Sequence, residues 1–294
     1  MDNWDEIRTA YQVARMGTVS GAADVLGVHH ATVIRHIDAL EGKLGIKLFQ
    51  RHARGYTATE AGEDLLLVAK ATDDQFNQLE GRLKGSGSEV SGELVVTTLE
   101  SMAQLMAPVL TDFQELYPDV VVRYRTGARL FRLEYGEAHV ALRAGPQPQE
   151  LDNVVQSLGR LRLGLYASPA YEKRFGLPKD ENDLAGHRFV GPDDDRIKAP
   201  FAVWMKDHLK PEQIMFRTTD AVASEQAVLS GAGIGFLPQW TAHEHPELLE
   251  VFPSREDWSG ELWLVTHVDL HRTTKVQAFV AFLKEQAALN WVCL

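Results

Sequence analysis

The chain has 294 residues, 45% of them hydrophobic, a formal net charge of −11 and a single cysteine, Cys293. A chain of that length buries a sizeable core and by length alone should form about two domains. One cysteine excludes an internal disulfide and suits a reducing compartment, and the acidic balance excludes a protein built to coat nucleic acid over its whole surface. The opening run MDNWDEIRTAYQVARMG lacks the basic start and apolar stretch of a signal peptide, and no apolar run reaches the ~18 residues of a membrane span. A cytoplasmic protein is expected.

The charge is uneven. Residues 1–60 hold seven bases and seven acids, so residues 61–294 carry the whole excess, and residues 27–54 hold five bases against two acids. A first helical pattern runs from Trp4 to Arg15, with Ile7, Tyr11 and Ala14 on one face, and stops at Gly17. In TVSGAADVLG, Thr18 or Ser20 can cap a short helix that turns Ala22, Ala23 and Leu26 inward and ends at Gly27. A third helix, in GVHHATVIRHIDALE, places Val33, Ile37 and Leu40 on a buried face. Its opposite face crowds His29, His30, Thr32, Arg35 and His36 into the first two turns. Three short helices with a tight turn at Gly27 and Val28 have the form of a helix-turn-helix, and LGIKLFQRHARGYTATEAG reads as a small hairpin behind it.

In helix-turn-helix proteins the third helix lies in the major groove, with its N-terminal residues on base edges. Arg35 suits guanine O6 and N7, and the methyl groups of Ala31, Thr32 or Ile34 suit a thymine methyl. On the wing, Arg51, His52 and Arg54, with Lys43 and Lys47, are placed to meet phosphates and set register without reading sequence. For an arbitrary helix, a polar face is more often only solvated; here the neighbouring elements favour DNA.

The run from Thr18 to Leu66 resembles the DNA-binding region of LysR-type transcriptional regulators. The shared pattern is Ala22-Ala23, Leu40-Glu41, Leu44-Gly45, Leu48-Phe49, Arg51, Arg54-Gly55, Thr59 and Gly62, in order and spacing over some 50 residues. The chain departs from the family on the reading face, where a Ser-Gln-Pro-like start and a later serine are replaced by His29, His30, Ala31 and Ile34. The operator therefore does not transfer from relatives.

Residues 57–85 hold Leu65, Ala69, Thr72, Phe76, Leu79 and Leu83 at gaps of 4, 3, 4, 3 and 4, a heptad stripe on one long helix. The stripe can pack on its own domain or on a second copy; the resemblance implies pairing of two subunits. Two recognition helices about one DNA turn apart then imply a roughly palindromic operator. GSGSEVSG marks a flexible boundary.

Beyond it strands and helices alternate: strand GELVVTTL, helix ESMAQLMAPVLTDFQELYP, strand VVVRYRTG, then a helix and strand in ARLFRLEYGEAHVALRAG. A second unit starts near LRLGLYASPAYEKRFG and runs through GELWLVTHVDL. Such alternation predicts a mainly parallel sheet with flanking helices. The resemblance implies that the last helix, TTKVQAFVAFLKEQ, returns to the first lobe. The expected fold is a mainly α winged helix-turn-helix (1–60), a linker helix (61–85) and a hinge (86–91). An α/β two-lobed, periplasmic-binding-protein-like domain of type 2 follows at 92–294. Its lobe I spans 92–161 and 267–294, and its lobe II 162–266.

In open α/β sheets ligands sit at the carboxyl ends of strands, often against helix N-termini. Three such junctions are legible: Thr98, Glu100, Ser101 and Met102; Thr126 with Arg129; and Thr219, Asp220 and Ala221. Arg143, Phe236 and Pro238 complete the expected wall. A Thr or Ser before a helix is often just a cap, and Glu100 and Asp220, facing inward, would oppose a purely anionic ligand.

Catalytic signatures are missing. His243-Glu244-His245 lacks the i, i+4 spacing of a zinc site, GAGIG opens no phosphate loop, and Ser101 has no base in its neighbourhood of sequence. No enzyme, cofactor or metal is expected. The partners expected are double-stranded DNA, a small-molecule effector and a second copy of the chain, in a dimer paired into a tetramer. The alternative is a cytosolic small-molecule sensor whose helix-turn-helix makes protein contacts, and substitution of Arg35 separates the two.

Overall fold

Helix α1 (Trp4–Met16) and helix α2 (Val19–Leu26) begin the computed structural model, which describes residues 3–52, 55–83, 90–127, 129–194 and 196–291. The side chains at 74, 75, 77–83, 135 and 290 also lie outside that description. Thr18 caps α2 by accepting from the Gly21 N–H at 3.0 Å. Gly27 ends it with φ 65°, and the Val28 N–H reaches back to the Ala23 carbonyl at 3.1 Å, the closure a glycine at this position permits. Helix α3 (His30–Leu44) follows, then strands β1 (Phe49–His52) and β2 (Gly55–Ala58), paired antiparallel as a wing. Ala10, Val13, Ala22, Val33, Ile37, Leu40, Leu48 and Phe49 close one core around the helices and wing.

Helix α4 (Glu60–Leu83) is the long helix after the wing. Leu65, from the heptad stripe, packs against the core of its own domain, and Phe76 meets Trp4 edge-on at 6.0 Å. Phe76 remains 55% exposed, as does Trp4. Leu79 and Leu83, at the end of the stripe, lie outside the described side chains, and the hinge at 86–89 lies outside the described residues.

Two compact units divide the chain, and the first takes in the short segments Arg132–His139 and Asp269–Thr274 besides Met1–Glu89. The helix expected between residues 128 and 139 is only a 3-10 turn, Leu133–Tyr135. The Glu137 carboxylate folds back onto the Arg132 N–H at 2.8 Å, and a Cβ at Gly136 would lie 3.0 Å from that of Ala71 on α4. Tertiary contact here overrides helical propensity.

The second unit holds two lobes. In the first, β3 (Gly92–Thr98), a 3-10 turn (Glu100–Met102), α5 (Ala103–Leu116), β4 (Val120–Thr126), β5 (Val140–Ala144) and β6 (Asn153–Leu161) follow in order. The second contains β7 (Leu163–Ala167), α6 (Pro169–Phe175), β8 (Phe189–Pro192), α7 (Pro200–His208), β9 (Ile214–Thr218), α8 (Ala221–Leu229), β10 (Gly235–Pro238), α9 (Gln239–Glu244) and β11 (Leu249–Phe252). Strand β12 (Gly260–His267), α10 (Val268–His271) and α11 (Thr274–Asn290) end the chain.

Strand β12 does not belong with the second lobe, where the sequence placed residues 260–266. It lies in a five-stranded sheet of order β4-β3-β5-β12-β6, antiparallel to both β5 and β6. The expectation of a mainly parallel sheet is corrected with it. The chain leaves this lobe through β6 and returns through β12, and an exit and a return laid side by side must run antiparallel. Phe279, Val280 and Leu283 of α11 pack with Leu94, Val96 and Phe113 in the same core. In the other lobe β7 lies between β10 and β11, β8 pairs with β9, and a bridge from Phe189 to Ile234 links the two pairings.

Candidate nucleic-acid interface and ligand cleft

Helix α3 buries Val33, Ile37 and Leu40 and turns His30, Ala31, Ile34 and Arg35 outward, with Thr32 half-buried. Arg35 makes no ion pair among the described residues. His29 stands at the N-cap but its side chain makes no capping bond. First-turn N–H groups of α3 are thus left without a side-chain partner, and such groups at a helix start suit a phosphate.

His36 is placed differently. Its Nδ1 lies 2.9 Å from Thr9 Oγ1, whose proton goes to the Asp5 carbonyl at 2.6 Å. Thr9 must therefore accept, Nδ1 carries the hydrogen, and His36 ties α3 to α1 rather than standing free on the reading face.

The wing bases are also engaged. Glu41, buried beneath the wing, accepts from the Leu48 and Phe49 N–H groups at 2.9 and 3.2 Å, and from Lys47 Nζ and Arg51 Nη2 at 2.7 and 3.0 Å. Arg51 also pairs with Asp38 at 2.6 Å and covers the Tyr56 ring at 5.2 Å. Its first role is to fix the wing against α3. Lys43 donates to Asn3 at 2.6 Å, and His52 Nε2 meets Thr57 Oγ1 across the hairpin at 2.8 Å. Arg54 lies outside the described residues. The Glu41 hub was invisible to periodicity; its signals were an acid directly after the last apolar position of α3 and its place in the Leu40-Glu41 pair of the family pattern.

Between the lobes of the second unit lies a cleft of about 220 Å³. It opens at the carboxyl ends of β3, β8 and β9, where ligands collect in open α/β sheets. Of the residues the sequence singled out, Ser101, Thr219, Asp220, Ala221, Phe236 and Pro238 line it. The remainder fall elsewhere. Met102 is buried in the lobe I core. Thr98 gives its proton to the Leu99 carbonyl at 2.9 Å and accepts from the Tyr124 hydroxyl at 2.6 Å, so it braces β3 against β4. Glu100 and the exposed Thr126 do not reach the cleft wall. Arg129 sits 5.1 Å over the Phe131 ring, followed by the 3-10 turn Leu133–Tyr135 where an α-helix was expected. Arg143 bonds to Glu150 at 3.3 Å and to the Phe131 carbonyl at 3.2 Å.

The crossover supplies walls that sequence reasoning missed. Leu161 and Leu163 flank the passage from β6 to β7, and Ser254 on the return passage donates to the Leu163 carbonyl at 2.8 Å. Arg160 and Glu261 pair at 2.8 Å across the same two passages. Phe201 and Met205 of α7 and Ser224 and Glu225 of α8 complete the wall. Among the described residues no group of His, Cys, Asp and Glu is arranged to hold a metal, and no helix is long and apolar enough to cross a membrane.

Residues 4–63 match the model of the bacterial regulatory helix-turn-helix protein, lysR family, and residues 87–288 match the LysR substrate binding domain. Together these span a DNA-reading module and an effector-binding module. The chain belongs to the LysR family of DNA-binding transcriptional regulators. An HTH-type transcriptional repressor of Pseudomonas aeruginosa is 26% identical over 306 residues, covering 99% of this chain and 94% of that one. Among solved structures, CrgA from Neisseria meningitidis aligns with a TM-score of 0.61 at 24% identity over 98% of this chain and 99% of that one. The Corynebacterium glutamicum regulator LysG, solved with bound effector Arg, aligns with a TM-score of 0.69 at 17% identity, covering 98% and 99%.

Proposed function

We propose that this regulator acts in the cytoplasm as a dimer that lays two copies of α3 into successive major grooves of a roughly two-fold symmetric operator. Base choice is assigned to His30, Ala31, Thr32, Ile34 and Arg35, with His29 and the open N–H groups of α3 on phosphate. Arg51, His36 and Glu41 are assigned the positioning of that helix. The observation that carries the reading is the division of α3 into a buried apolar face and an outward face whose Arg35 has no ion pair among the described residues. Dimerisation is assigned to α4, where Val68 and Phe76 leave apolar surface outside the domain's own core; pairing of dimers into a tetramer is assigned to the C-terminal domains. The lobes close on a small molecule in the cleft, and differential affinity for two arrangements couples it to DNA engagement. Catalysis has no part in the reading.

Selection of genomic fragments by the full-length protein near physiological salt, repeated at higher salt, tests this. Enrichment of a two-fold symmetric site that persists at higher salt is expected. Uniform recovery of bulk DNA, weakening evenly with salt, would overturn it.

A further inference from the structure

The charged side chains on the cleft wall are acids. Asp220 and Glu225 line it, and among the described lining residues there is no Lys, Arg or His. Of the two bases expected to face a ligand, Arg143 is committed to Glu150 and the Phe131 carbonyl, and Arg129 lies over the Phe131 ring and off the cleft wall. The start of α8 is the natural seat for an anion, yet Asp220 already fills it, its Oδ1 accepting from the Ala223 N–H at 2.6 Å. A carboxylate entering the cleft would meet like charge and no counter-charge.

Apolar groups make up most of the remaining wall, including Leu99, Leu161, Val190, Ile197, Phe201 and Phe236. Phe201 and Phe236 present two rings with centroids 5.7 Å apart, and aromatic faces attract cations. Glu225 is half-buried on α8, with the hydroxyl of the fully buried Thr241 3.4 Å from its Oε2. Desolvation by the apolar wall strengthens a charge pair formed there.

We propose that the cleft binds a small, largely apolar ligand bearing an ammonium group, with Glu225 as its counter-charge and the Phe201 and Phe236 rings beside it. This rests on the reading of the cleft as the effector site. Carboxylates are disfavoured by the same groups.

The test uses the full-length protein and two matched series: 2-phenylethylamine, 2-phenylethanol and 3-phenylpropanoate, and hexylamine, hexanol and hexanoate. Binding is read by thermal melting and by tryptophan emission, since Trp204 and Trp258 lie 5.5 and 4.9 Å from Phe236. The amine of each series should bind roughly tenfold more tightly than its alcohol, the ratio of one charge-assisted contact. Glu225→Gln should remove that preference and Glu225→Asp should restore part of it, which separates lost charge from lost folding. A carboxylate that binds as well as its amine overturns the ammonium assignment and leaves the effector cleft standing. Binding that survives Ser224→Trp, which fills the cleft, shows a different site and defeats the cleft reading itself. Silence from all six compounds overturns the proposal.

Discussion

Replacing Glu41 should detach the wing from the reading helix. Its Oε1 serves the two N–H groups at the start of β1, and its Oε2 serves Lys47 and Arg51. The Lys47 side chain is 71% exposed, so solvent screens that pair to little. Glu41→Ala leaves two buried N–H groups unmet and takes from Arg51 one of its two carboxylate partners, Asp38 remaining; at about 2 kcal/mol for each orphaned N–H the loss sums to about 4 kcal/mol. Glu41→Gln keeps one acceptor oxygen but turns an NH2 toward Lys47 and Arg51, at a cost of about 2 kcal/mol. Burial pushes the Glu41 carboxyl up, but Lys47 and the Leu48 and Phe49 N–H groups outweigh it and hold the pKa below its ordinary 4.5. The stabilisation is therefore full above that ordinary value and is lost as pH falls through the lower folded-state pKa. Hydrogen exchange by mass spectrometry on the full chain reads the β1–β2 hairpin directly. Glu41→Ala should speed its exchange by roughly a thousandfold at neutral pH, the equivalent of about 4 kcal/mol. DNA affinity should fall with it. Unchanged exchange in the hairpin would refute the hub.

Gly62→Ala should unfold the N-terminal domain's closure, because a Cβ there would stand 2.1 Å from the Leu48 carbonyl oxygen; a loss of about 3 kcal/mol by overpacking is expected in a melting experiment. Val68→Glu with Phe76→Glu should reduce the mass seen by light scattering to that of the monomer, with circular dichroism unchanged. His187, whose pKa burial pushes below 6.5 against a smaller opposing pull from Asp183, pairs through Nδ1 with the buried Tyr171 hydroxyl at 3.2 Å. The unfolded chain takes up this proton first, so stability should decline as pH falls below about 6.5, more steeply than in His187→Gln.

The helices of the N-terminal domain were legible because each has an apolar period, a cap or a glycine stop that acts locally. Thr18 and Gly27 do what their residue types do in any chain. The segment 128–139 was misread as a helix because its conformation depends on Ala71 and on Glu137 reaching back to Arg132. Strand β12 has the same alternation in either lobe, and only its pairing with β5 and β6 assigns it. The cleft was half legible. Strand ends and helix starts pointed to Ser101 and Thr219–Ala221, whereas Leu161, Leu163, Phe201 and Glu225 reach it through the crossover and through α7 and α8. Arg143 and Arg51 show the converse, with side chains that looked available in sequence already committed within the chain.

Selection from a randomised duplex pool by the wild-type protein and by Ile34→Ser tests the reading face most directly. Ile34 is an exposed apolar side chain on α3, and its replacement should change the preferred base at one symmetric pair of positions, worth about 1–3 kcal/mol for each base pair. Affinity for nonspecific DNA should stay the same. Recovery of one consensus by both proteins would contradict the assignment of sequence reading to this face of α3.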